Sequence, residues 1–251
     1  MNRLILAAAI AATPFFAVSA IANTPSAKFA ATYTDTPSLS VSAFVTCSTG
    51  TGHCTADADK TGHTLTKIKV PQDKELLVGV SAEIGLTTFG AIKGKNGGSG
   101  TAVADAEASV QIFACPIEGG DCIEAKPGGI KLAKRVQELS AKLGGVIKEC
   151  TFTTEAEGAD TTIDISEDCL VNDEEIALLL DTTAAHHFNF VLPNMDQGIY
   201  EIKALFKTLA AADVYLCGYT NDLGYVTQEC DADGSVAGYA EAASIINKSM
   251  V

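Results

Sequence analysis

Tryptophan is absent, and phenylalanine and tyrosine bring the aromatic share to only 6%. A flat aromatic platform of the kind that stacks sugars is therefore not expected. Positive charge is scarce too: 17 Lys and Arg stand against 31 Asp and Glu, for a net charge of −14. Such a chain repels phosphate backbones and anionic lipid, so nucleic acid and membrane surfaces are disfavoured partners. The sequence has no G-x-S-x-G elbow, no H-E-x-x-H pair and no phosphate-binding loop, so none of the common catalytic motifs is present and an enzyme is not expected. No C-x-x-C pair occurs. Beyond the N-terminus no run of about 18 apolar residues appears, so no membrane span is expected.

What is present begins with an export signal. Arg3 gives a short charged n-region of bacterial type, Leu4–Val18 is almost wholly apolar, and Ala20-Ile21-Ala22 forms an A-x-A cleavage site, with Val18-Ser19-Ala20 as a second choice. Residues 1–22 read as a signal peptide, which leaves 251 − 22 = 229 residues and, without Arg3, a net charge of −15. The expected location is periplasm, cell surface or external medium. Residues 23–37 are polar and Pro-containing and read as a loose N-terminal segment. Residues 38–251 read as a single domain.

Eight cysteines in an exported chain predict four disulfides. They are Cys47, Cys54, Cys115, Cys122, Cys150, Cys169, Cys217 and Cys230. Roughly a hundred connectivities are open to eight cysteines, and sequence does not choose among them. Spacing suggests neighbours, 47–54, 115–122, 150–169 and 217–230: "CSTGTGHC" and "CPIEGGDC" share a C-x6-C pattern around glycines, "CGYTNDLGYVTQEC" has turn residues at its centre, and each reads as a hairpin tip with a cross-strand bridge.

Between the cysteines the dominant period is two, the mark of half-buried strands. In "KELLVGVSAEIGLTTF" one face collects Leu76, Val78, Val80, Ala82, Ile84 and Leu86. In "TAVADAEASVQIFA" it collects Ala102, Ala104, Ala106, Ala108, Val110 and Ile112, and these small side chains suggest something bulky packed above them. "KGKNGGSG", Lys93–Gly100, lies between the two segments, and together they read as one long hairpin with a solvated tip. "SLSVSAFVTC", "TLTKIKVP", "GIYEIKALF", "DVYLCGY" and "AASIINKSMV" alternate likewise. Residues 131–143 and 173–183 fit helical spacing slightly better than strand spacing, but their strand-rich surroundings favour strands, and strand is the expectation. The fold class is all-β: a disulfide-stapled antiparallel β-sandwich, jelly-roll-like.

The stretch "EEIALLLDTTAAHHFNFVLPNMDQGIYEIKALF" carries Leu178, Leu180, Thr182, Ala185, Phe188, Phe190, Gly198, Tyr200 and Ile202 in a pattern of leucine-rich strand, F-x-F strand and G-x-[HY]-x-[IV] strand. It resembles a loose set of secreted bacterial β-sandwich proteins without known activity. The resemblance implies an all-β fold and no chemistry.

Candidate sites follow from what strands do to neighbouring residues. His186 and His187 are adjacent, and on a strand adjacent side chains point to opposite faces. They therefore do not share a metal. His186 joins the Phe188 and Phe190 face, His187 joins Asn189, and the segment reads as a core strand leading into a Pro193–Gly198 turn. "ECDADGS" sets Glu229, Asp231 and Asp233 before Gly234, like the opening of a calcium loop, though position twelve is Ala240 rather than Glu. If a metal binds, calcium at these oxygens is the expectation; no other cofactor is expected. "TADADK", with Asp57 and Asp59, reads as a solvated acidic turn. His53 and His63 have no partner in sequence.

The leading expectation is a secreted, non-catalytic structural or binding protein, with a protein or glycan at the cell surface as partner, or with self-assembly through strand edges. The alternatives are a calcium-dependent carbohydrate- or surface-binding module, which would use the nearby Tyr215, Tyr219, Tyr225 and Tyr239, and a hydrolase on a jelly-roll scaffold with His186 as base.

Overall fold

The structure, a computed structural model, describes residues 29–34, 39–48, 52–150, 169–217 and 234–251. In them the chain is all strand and turn, without helix. The strands are β1 (Tyr33–Thr34), β2 (Leu39–Ser48), β3 (His53–Val70), β4 (Lys74–Lys95), β5 (Gly98–Pro116), β6 (Ile123–Glu124), β7 (Ile130–Leu143), β8 (Val146–Cys150), β9 (Cys169–Asn172), β10 (Glu174–Met195), β11 (Gly198–Leu216) and β12 (Ser235–Met250). Both ambiguous stretches are strands: 131–143 lies in β7, and all of 173–183 but Asp173 lies in β10. Two residues of the 23–37 segment form β1 against the end of β12.

Two antiparallel sheets make a sandwich. In the first, β12 pairs β4, β4 pairs β10, and β1 and β2 lie end to end on the far flank of β12. In the second, β3 pairs β11, β11 pairs β5, and β6 and β7 lie on the far flank of β5. Among the described residues each sheet is thus four strands wide. A short β8–β9 pair stands apart.

The period-two reading sorts the inner face correctly. Val78, Val80, Ala82, Ile84 and Leu86 of β4 are buried, as are Ala102 to Ile112 of β5 and Tyr200, Ile202, Ala204 and Phe206 of β11. The alanines of β5 do not lie under bulky partners along their whole length. Glycine makes room where the sheets meet: a Cβ on Gly90 would sit 3.3 Å from that of Ala102, and one on Gly238 would overlap the Val214 side chain. Alanine and glycine here let the sheets approach closely.

Strand partnership departs from the sequence reading in three places. First, β4 and β5 are not a hairpin. They belong to different sheets, and "KGKNGGSG" is the arch that carries the chain across, with Asn96 and Gly97 at φ of 50° and 78° making the turn. Alternation is the same whether the next strand pairs with its neighbour or crosses the core, so the pattern could not distinguish them. Second, Cys47 and Cys54 bridge β2 to β3, one strand from each sheet, so this pair staples the sandwich rather than a hairpin tip. The Cys115–Cys122 pair does close a β5–β6 hairpin. Cys169 and Cys217 are also in disulfides, and Cys150 is the register partner of Cys169 across β8–β9. Cys230 lies outside the described residues. Third, Asp57 and Asp59 are not in a turn; they sit on the exposed face of β3, which runs on through "TADADK" to Val70.

Candidate functional site

The free edge of β10 is the feature that ordinary folding needs do not explain. β10 runs 22 residues at the end of its sheet, and among the described residues its one partner strand is β4, from Glu174↔Gly94 to Met195↔Lys74. Its inward face continues that of β4: Ile176, Leu178, Leu180, Thr182, His186 and Phe188 stand level with Ile92, Gly90, Thr88, Leu86, Ala82 and Val80. Their burial differs, however. The β4 residues lie under the second sheet, whereas Ile176, Leu178 and Leu180 remain 42%, 41% and 42% exposed, and outward-facing Leu179 is 60% exposed. Only the Phe190–Met195 end is covered, with Phe190, Leu192 and Met195 almost fully buried.

Natural edge strands are usually kept short, bulged, or marked with lysine or proline, because a bare row of N–H and C=O groups recruits another strand. β10 between Ile176 and Phe188 has none of these devices. It contains no lysine, its register with β4 is unbroken there, and its proline, Pro193, falls beyond Val191. Val191 is where the edge is closed: it exchanges two backbone hydrogen bonds with Lys126, at 2.8 and 3.0 Å. Asp181, the one carboxylate in the stretch, accepts a hydrogen bond from Thr87 at 3.0 Å.

The inner side of this edge is fastened to the second sheet by polar side chains. Thr88 Oγ1 donates to Gln137 Oε1 at 2.7 Å, and Gln137 Nε2 donates to the Leu178 carbonyl at 2.7 Å. Arg135 donates to the Leu86 carbonyl at 3.2 Å and to the Thr182 hydroxyl. Gln137 and Thr88 are buried, so the Thr88 hydroxyl and the Gln137 Oε1 depend on each other for this hydrogen bond.

The histidines fall on β10 as strand geometry requires. His186 is half-buried on the Phe188 face; His187 is exposed on the other. The segment holding them is an edge strand rather than a core strand, and it continues through Pro193 to Met195 before turning. His187 Nδ1 lies 2.9 Å from Ser81 Oγ and its Nε2 lies 3.2 Å from Asn189 Oδ1. The hydroxyl therefore meets His187, not His186. A shallow depression lined by Tyr33, Ser81, Glu83, His186, His187 and Lys248 covers this end of the face.

Other sequence candidates scatter. His53 stacks on Tyr215 at 4.5 Å between ring centroids and meets Asp213 at 3.1 Å; His63 is exposed on β3. Tyr215 and Tyr239 lie on opposite outer faces of the sandwich, with Tyr239 packed edge-on between Phe44 and Phe89 at 4.7 and 5.1 Å. Burial, then Glu241, pushes the Tyr239 hydroxyl pKa up. Tyr219, Tyr225, Glu229, Asp231 and Asp233 lie outside the described residues. Among the described residues no group of three or more His, Cys, Asp or Glu is arranged to hold a metal.

Four carboxylates that sequence reasoning left unconnected meet on the outer face of the second sheet: Asp57, Asp59, Asp105 and Glu107 line one groove with Lys134. Lys134 Nζ lies 2.7 Å from Asp105 and 3.4 Å from Glu107, and Lys131 lies 2.9 Å from Glu107. Burial alone would raise the Glu107 pKa, but the hydrogen bonds and charges of Lys131 and Lys134 outweigh it and hold the pKa below the ordinary value. Lys134 is raised, first by its hydrogen bond to Asp105, against the opposing effect of burial. Lys131 and Lys134 on Asp105 and Glu107, and Lys207 at 3.6 Å from Asp59, make the groove an ion-pair network.

Paired cysteines suit an oxidising compartment, and no helix among the described residues is long and apolar enough to cross a membrane. No protein-family model and no curated protein matches the chain. Among solved structures, two of infectious bursal disease virus, of the Gt and Gx strains, align at 9% and 12% identity over 76% and 74% of this chain. The chain spans 40% of the length of each, and with TM-scores of 0.15 and 0.14 neither likeness carries an argument about fold or function.

Proposed function

We propose that this chain is an exported, non-catalytic structural or binding protein that works outside the cytoplasm by adding a strand at the open edge of β10. The observation that carries this reading is the exposed Ile176–Leu180 run on a long, lysine-free edge, in a protein whose net charge is −14. An apolar edge of this kind is an aggregation hazard unless it has a partner. Strand addition supplies affinity through main-chain bonds and selectivity through alternate side chains. The export signal and the paired cysteines support a location beyond the cytoplasm. In the producing cell, wild-type chain should fractionate with assembled envelope or surface material, and Leu179→Lys should release it as free chain. Equal release of wild type and variant would refute the reading.

A hydrolase is the second reading, and one observation favours it: Ser81, His187 and Asn189 form a hydroxyl–imidazole–amide chain. That arrangement can take a proton from a hydroxyl. It lies on an open sheet face, and the orienting group is a neutral amide with no charge to stabilise an imidazolium. Turnover of an ester panel by the purified chain, abolished in Ser81→Ala, would establish it and displace the first reading.

A further inference from the structure

Among the described residues, the two outer strands of the first sheet, β10 on one flank and β1–β2 on the other, occupy the same rows. Reading across the pairings, Phe44 of β2 lies level with Glu241, Phe89 and Leu179. Val45 lies level with Leu178, and Cys47 with Ile176; at the other end Tyr33 of β1 lies level with His187. The β1–β2 flank and the open part of β10 therefore face away from each other across one block of rows. The covered residue of β10, Val191, lies beyond the last of them.

Width and hydrogen-bond phase also match. Across four antiparallel strands the first and last run in opposite directions. Val191 turns both backbone groups outward to Lys126. Alternation along the unbroken register then turns Leu179 and Asp181 outward as well. Carried across the sheet, the same alternation makes Phe89↔Glu241 a bonded pair and leaves Phe44 pointing outward on the opposite flank. Leu179 and Phe44 thus present free groups in the same row and phase, and a translated copy would bring them together as an antiparallel bonded pair.

Side chains agree. β2, "LSVSAFVTCS", carries no charge, like Ile176–Leu180 of β10. On the outer face Phe44 and Leu179, at 52% and 60% exposed, end a stripe that runs through Tyr239 and Phe89. In the second sheet Lys134 of β7 shares a row with Asp59 of β3, so the same translation sets a lysine beside an aspartate.

We propose that copies of this chain add head to tail, β10 of one pairing antiparallel with β1–β2 of the next, so that the sheet continues through each joint and the filament stays open. The inference rests on the β10 edge being the working surface, and names a second copy as what it binds. Four strand spacings per copy give an axial repeat of about 19 Å. Sheet twist turns each copy by roughly 80–100° relative to the last. The joint is heterologous, and such joints grow without closing.

The test is light scattering after size exclusion over a concentration series, with electron microscopy of the largest species. Wild-type mature chain should give rising multiples of the monomer mass and filaments with the repeat above. Leu179→Lys blocks one flank and Phe44→Lys the other, so each alone should stay monomeric, and their equimolar mixture should double in mass and stop there. Both side chains are more than half exposed, so thermal unfolding should show both variants folded. Slowed amide exchange in wild type at both 39–47 and 176–184 as concentration rises reads the same joint without substitution. Dimers of Phe44→Lys alone would show that β10 pairs with itself and overturn the proposal. A monomeric wild type would overturn it too, and if Leu179→Lys still frees the chain from the envelope, the edge reading stands with a foreign partner.

Discussion

Removing the Gln137 amide should weaken the fold and loosen β10 together. Gln137 bridges the sheets, accepting from Thr88 and donating to the Leu178 carbonyl. Gln137→Leu keeps the approximate volume but leaves the Thr88 hydroxyl, which is 0% exposed, without its acceptor. An orphaned buried group costs about 1–3 kcal/mol. Thr88→Val should cost a similar amount by orphaning Gln137 Oε1. In the double variant neither orphan exists, so its cost should fall short of the sum by about 1 kcal/mol or more. Urea unfolding of the oxidised chain reads this as midpoint shifts at constant slope. Amide exchange at Leu178–Thr182 should quicken in Gln137→Leu, because the clamp acts on that stretch. Additivity within about 0.5 kcal/mol would refute the claim that these two side chains satisfy each other.

Phe190→Ala should cost about 3–5 kcal/mol, because the ring is fully buried, and Phe188→Ala markedly less, because that ring is 37% exposed; matched chemical denaturation compares them. Replacing Cys47 and Cys54 by alanine should lower stability by about 2.5 kcal/mol, the loop-closure value for so short a loop, and a calorimetric loss below about 0.5 kcal/mol would deny the staple its role. Glu107 has a folded pKa below its unfolded one, so its stabilisation is present above the unfolded value near 4.5 and is lost as pH falls through the folded value. Glu107→Gln should therefore show a shallower acid limb below pH 4.5 than wild type, and parallel limbs would count against the Lys131–Glu107–Lys134 network.

Much of the chain was legible because strand geometry is local. Alternation placed Val80, Ile84, Ala104 and Ile202 inward, and it separated His186 from His187. The surrounding strands decided the type of 131–143 and 173–183 correctly against their helical spacing. The open edge of β10 was less legible. "DTTAAHHFNFVLPN" reads as a core strand because Phe188 and Phe190 are spaced by two on one face, the spacing of a half-buried strand. Being a sheet edge is a property of what lies beside the strand, and no residue within it records that. The absence of lysine from Ile176 to Phe188 was the available clue. Ser81 stands more than a hundred residues before His187, and no motif links them; the β4–β10 register brings them together.

The sequence by itself determined which faces are apolar, that the fold is all-β and that its cysteines pair, because side-chain period and thiol oxidation depend on neighbours along the chain and on compartment. The tertiary structure alone decided partnership. β4 left β5 for β10 and β12, "KGKNGGSG" became an arch, and Cys47 and Cys54 came to join two sheets. Every strand presents the same backbone groups to either side, so which strand is accepted, and which edge is left open, is settled only when the two sheets close over a shared core.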